Sequence, residues 1–115
     1  MSRLIYSEPQ SVSRVEADRI FAAGDSKEIA STLVDIAFHE RDWRWVQDKC
    51  LYFARHPAPN VRQVAVTCLG HIARIHQTLD LAMVLPVLDE LSRDEAVTIE
   101  DAIDDIRRFM PNAAL

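Results

Sequence analysis

Four carboxylates stand close together near the C-terminal end: Glu100, Asp101, Asp104 and Asp105. Paired carboxylates are the residue type for general acid–base work or for holding a divalent cation. On a helix, i, i+4 spacing sets Glu100 beside Asp104 and Asp101 beside Asp105, at a repulsive cost of a few tenths of a kcal/mol per pair. Arg107 and Arg108, one turn on, relieve part of that cost. Exposed carboxylates seldom become chemical sites without a cleft. The cluster therefore reads as a solvated helix face or as a docking patch for a basic protein, ahead of a metal or catalytic pair.

No other constellation for chemistry can be assembled. His39, His56, His71 and His76 are not at ligand spacings, and HExxH, P-loop, GxSxG and GxGxxG patterns are missing from the sequence. Cys50 and Cys68 belong to no CxxC and fall on apolar helix faces, so reduced core thiols are expected. Trp45, Asp48 and Tyr52 share one helix face near Arg41, Arg44 and Lys49. Such a surface could stack bases and hold phosphates, but a packing seam with a charged rim is the commoner arrangement. The expectation is a protein without enzymatic activity, metal, cofactor or small-molecule substrate.

Charge narrows the partner. Residues 1–76 are close to neutral, whereas from Gln77 onward nine acidic residues face three arginines, which accounts for the net charge of −5. An acidic end disfavours nucleic acid and suits a basic partner. No apolar run nears the roughly 18 residues needed to span a membrane. The first ten residues lack the apolar core of a secretory signal, so the cytoplasm is the expected location.

The elements that must position these residues are all helices. At 115 residues, 49% of them hydrophobic and only two of them glycine, the chain suits one helical domain over 1–115. Residues 1–7 read as an irregular lead-in whose Leu4, Ile5 and Tyr6 dock on the first helix. That helix is expected from an N-cap at Ser7, through Pro9, to Ala23, with Val12, Val15, Ala17, Ile20 and Phe21 inward and Gly24 as its stop. Asp25 with Glu28 forms a capping box for a second helix, Ser26 to Phe38. Asp42 caps a third, to Arg55, with Val46, Cys50, Phe53 and Ala54 inward.

Pro57 and Pro59 then separate the third helix from a fourth, which runs to His76. Val61, Val64, Ala65, Cys68, Leu69, Ile72 and Ile75 recur at the spacing of one helical stripe. Its exposed side is expected to carry Gln63, Thr67, His71 and Arg74. Gly70 inside it costs about 1 kcal/mol relative to Ala, which points to close approach of a neighbouring helix. Asp80 caps a fifth helix to Ser92, with a kink expected at Pro86. Thr98 is the expected N-cap of a sixth, with Ile99, Ala102, Ile103, Ile106 and Met110 inward, Pro111 as its end, and residues 111–115 as a frayed tail.

A shift of thirty-eight positions sets Phe53 on Leu91, Val61 on Ile99, Ala65 on Ile103, Cys68 on Ile106 and Ile72 on Met110. The period is near the about 40–47 residues of HEAT and armadillo units. With its Pro turn, Asn60-Val61-Arg62 and Ala65…Leu69-Gly70, the segment resembles the second half of a HEAT repeat. The resemblance extends over residues 42–110, and the later copy departs where Arg62 becomes Glu100 and Gly70 becomes Arg108. It implies an all-α, short α-solenoid of about three antiparallel helix pairs, whose second helices face a partner.

Size, acidity and a HEAT-like pattern without catalytic residues are similar to the immunity proteins of bacterial toxin–immunity pairs, of the contact-dependent growth inhibition kind. That similarity implies a cognate toxin as partner, a nuclease with a basic cleft that an acidic surface covers. The expected contacts are Asp101, Asp104 and Asp105, with Glu100 and Arg108 at the edge and Thr67, His71 and Trp45 beside them. A HEAT-type scaffold binding an unrelated protein would use the same surface. Nucleic-acid binding through Arg41, Arg44, Lys49, Arg55 and Arg62 is disfavoured by the acidic last third.

Overall fold

The computed structural model describes residues 8–113, and the expected docking of Leu4, Ile5 and Tyr6 lies outside them. Six α-helices follow one another: α1 (Arg14–Ala23), α2 (Ser26–His39), α3 (Trp43–Phe53), α4 (Pro59–His76), α5 (Leu81–Leu91) and α6 (Glu100–Phe109). The turns are short because each stop signal lies beside the next start. Gly24 takes the left-handed conformation that ends α1, at φ 84°. The Asp25 side chain then accepts the Glu28 N–H and starts α2, as its spacing predicts. Asp42 does the same for α3 through the Trp45 N–H. Pro59 opens α4 at the position where its missing N–H costs nothing.

Two starts differ from expectation. α1 begins at Arg14, where the Ser13 hydroxyl accepts the Glu16 N–H, and not at Ser7 and Pro9. Residues 8–12 are held outside the helix from a distance. The Gln10 N–H donates to Asp35 Oδ1 at 2.8 Å, and His39 Nε2 donates to the Pro9 carbonyl at 3.0 Å. Val15 is 82% exposed instead of inward. α6 begins at Glu100 without a side-chain cap, so Thr98 is not its N-cap. The Thr98 backbone is taken by Gln63, which accepts its N–H at 2.8 Å and donates to its carbonyl at 3.1 Å.

The packing centres on α4. It lies against α2, α3 and α6, while α1 packs on α2 and α2 also meets α3. Ile29, Leu33, Ile36, Val46, Cys50, Val61, Leu69, Ile72, Val84, Leu88 and Ile106 form the innermost layer. Each such side chain contributes about 1.5–3 kcal/mol when removed from water. Among the described residues no buried side-chain nitrogen or oxygen lacks a hydrogen-bond partner. Buried Gln47, for instance, accepts the Asp80 N–H at 2.8 Å and so ties α3 to the start of α5.

Cys50 and Cys68 are buried free thiols, as expected. The helix continues through Pro86 to Leu91. Beyond α6, Pro111–Ala113 form a 3-10 turn with Ala113 packed on the core, so the frayed tail does not begin at residue 111. Architecturally this is an all-α fold of six helices in which α2, α3 and α6 pack on α4. No helix among the described residues is long and apolar enough to cross a membrane.

Candidate partner-binding surface

α6 is the most polarised element. Ala102 and Ile106 are buried, and Glu100, Asp101, Asp104, Arg107 and Arg108 are exposed on its other side. Two of the carboxylates are in the first turn and both arginines are in the last. The helix macrodipole favours that order, so the sequence stabilises α6 while it exposes like charges at one end. None of Glu100, Asp101 and Asp104 is in an ion pair among the described residues. Three carboxylates thus face solvent outside any such ion pair.

Asp105 departs from this group. It is half-buried and turned toward α4, with Oδ2 at 2.7 Å from the point where a Cβ on Gly70 would stand. The expected side-by-side pair of Asp101 and Asp105 is therefore split between solvent and the α4–α6 seam. Gly70 has the role its position implied, since Ala102 Cα lies at 3.2 Å from the same point.

Thr67 and His71, expected on the exposed side of α4, are half-buried as well. Their helix is flanked on three sides, which leaves it little free face. The His71 ring packs on Phe38 of α2, with centroids 4.9 Å apart, and its Nδ1 lies 3.1 Å from the Arg74 guanidinium. Burial pushes the His71 imidazole below its ordinary pKa, the Arg74 charge adds to this, and the Asp105 carboxylate opposes it. His71 and Asp105 share a small polar seam between helices, with Thr67 one turn earlier on α4.

Trp45 is on different ground, in a groove between α1 and α3. Asp18, Phe21 and Ala22 line it from α1, and Trp45, Asp48, Lys49, Tyr52 and Phe53 line it from α3. Lys49 Nζ stands 5.4 Å from the Trp45 ring centre and 5.8 Å from that of Phe21, and pairs with Asp18 at 3.0 Å. Arg14 covers Trp45 from 4.9 Å while pairing with Asp42. Tyr52, 73% exposed, meets Phe53 edge-on. Tyr52 and Asp48 were not among the expected contacts, although their i, i+4 spacing beside Trp45 was the available signal.

The cations of the disfavoured nucleic-acid surface are largely engaged inside the protein. Lys49 pairs with Asp18, Arg55 with Glu90 and Arg62 with Asp94, while Arg44 lies over Trp43. Arg62 also donates to the carbonyls of His56 and Pro57, so it fastens the turn before α4 to the turn after α5. The Arg62 pair and the Ala96 N–H together hold the Asp94 carboxyl below the usual carboxylate range, the N–H being the larger cause. Among the described residues no three His, Cys, Asp or Glu side chains are grouped to hold a metal.

No protein-family model matches the chain, and no curated protein matches it. Among solved structures it is similar to a chain of the CDI complex from Cupriavidus taiwanensis LMG 19424. The two are 36% identical with a TM-score of 0.82, over 93% of this chain and 98% of that one.

Proposed function

The chain belongs to the family of that CDI-complex chain, and from that premise we propose that it is the immunity protein of a contact-dependent growth inhibition pair. The likeness over nearly the full length of both chains is the observation that carries this reading. The partner is the cognate toxin, a nuclease with a basic active-site cleft. The exposed face of α6, with Glu100, Asp101 and Asp104 and with Arg108 at its edge, enters or covers that cleft and replaces the phosphates of the substrate. Asp105, His71 and Thr67 act behind it by holding α6 against α4. Inhibition by coverage requires no chemistry of the inhibitor, which accords with a non-enzymatic, cofactor-free protein acting in the cytoplasm. The row of α2, α4 and α6, each against the next, supports reading the fold as a short HEAT-like solenoid.

The test is titration with the cognate toxin domain, followed by its nuclease assay. The wild-type chain should bind tightly and abolish cleavage, and the Asp101→Lys, Asp104→Lys double variant should lose both while remaining folded. Binding and inhibition unchanged in the double variant would discard the acidic face. A generic scaffold would instead leave the toxin unbound.

A further inference from the structure

We propose that the groove between α1 and α3 is a second contact with the toxin, resting on the reading above, and that it receives an arginine side chain. Its walls have the composition of an interface hot spot: Trp45 and Tyr52 with an acidic group between them. The groove is open to solvent and offers about 460 Å³, room for a side chain of a partner. Two carboxylates, Asp18 and Asp48, and one cation, Lys49, line it. Lys49 is committed to Asp18 at 3.0 Å, whereas Asp48 is exposed and forms no ion pair among the described residues. Asp48 is therefore the uncompensated charge of the groove.

Asp48 and Tyr52 are one turn apart on α3, so an exposed aromatic face and an unpaired carboxylate stand side by side. Tyr52 and Phe53 meet with rings at 89°, and Tyr52 remains 73% exposed, so its ring is available to another group. A guanidinium suits this pair better than an ammonium. Its flat ion can lie on the ring while its parallel N–H groups bond both carboxylate oxygens. The groove already uses this chemistry, since Lys49 and Arg14 sit over its aromatic rings. A basic partner carries the matching group.

The test is isothermal titration of the toxin domain with Tyr52→Ala and Asp48→Lys, both at exposed positions, each checked for an unchanged melting curve. Affinity should fall by about tenfold or more in each, as for truncated hot-spot side chains. Glutamine scanning of the toxin's arginines should then find one whose loss is not additive with Asp48→Asn. Wild-type binding with both groove variants within about twofold of it would overturn the contact and leave the immunity reading standing. A wild-type chain that fails to bind the toxin overturns that reading, and this contact with it. Coupling to a toxin lysine or aromatic residue, with no arginine coupled, would overturn the proposed occupant.

Discussion

An Asp105 carboxylate oxygen lies 2.7 Å from where a Cβ on Gly70 would project, so α4 and α6 touch where α4 has no side chain. The backbone of Ala102 closes the same space at 3.2 Å. The acidic face of α6 is aimed by this contact together with the two hydrogen bonds between the Gln63 side chain and the Thr98 backbone.

Gly70→Ala would improve helix propensity by about 1 kcal/mol, but it overfills the seam, for which about 1–3 kcal/mol is typical. Asp105 can swing aside, whereas the Ala102 backbone cannot move without α6. The expected net result in urea denaturation is a loss of about 1 kcal/mol, the middle of that difference. Gly70→Ala with Asp105→Ala should recover only part of it. Equal or greater stability in the single variant would contradict the close approach.

His71 makes stability pH-dependent. Its folded pKa is depressed, so the unfolded chain binds the proton more readily and the contribution to stability is full only above the unfolded value, about 6.5. Stability should fall as pH drops from about 7 to 5, and this part of the slope should vanish in His71→Asn. Removing the opposing carboxylate with Asp105→Asn depresses the folded pKa further and should extend the loss to lower pH. Chemical denaturation at a series of pH values checks all three chains.

Gln47 is 3% exposed and its side-chain oxygen satisfies the Asp80 N–H at 2.8 Å. Gln47→Leu keeps the bulk and strands that N–H. The expected cost is about 1–3 kcal/mol, read as a lower urea midpoint with an unchanged m-value.

The neighbouring Cys68, and after it burial, push the Cys50 thiol well above its usual pKa, which removes the reactive thiolate. Ellman's reagent should leave both cysteines untouched in the folded protein at pH 8 and label both after unfolding. Rapid labelling of the native chain would place them nearer the surface.

Charge on α6 should act mainly on the rate of encounter with a basic toxin. Stopped-flow association should slow as salt rises from about 0.05 to 0.5 M, because exposed charges are screened over that range. The Asp101→Lys, Asp104→Lys variant should show a flatter or reversed salt dependence. An identical slope in both proteins would remove α6 from the encounter surface.

The helices themselves were legible because what makes a helix acts within about four residues of chain. Asp25 with Glu28, Asp42, Gly24 and Pro59 each lie where the structure ends or starts an element. The stripe from Val61 to Ile72 is buried or half-buried throughout, and only its last member, Ile75, reaches the surface. Ser13 with Glu16 was an equally local signal at α1, but Ser7 and Pro9 offered a competing one. The choice between them went to Asp35 and His39, which hold residues 9 and 10 from another helix.

The sequence by itself thus determined the all-α class, the three turns between α1 and α4, the buried thiols and the acidic end of the chain. Only the tertiary structure decided which polar side chains meet protein and which meet water. Thr67, His71 and Asp105 look like surface residues on their own helices and become seam residues once α2, α4 and α6 lie together. Thr98 looks like a cap until Gln63, thirty-five residues away, takes its backbone. Periodicity states which face of a helix is apolar; it does not state how many neighbours that helix has. For α4, with three of them, the polar side chains Gln63, Thr67, His71 and Arg74 are half-buried too.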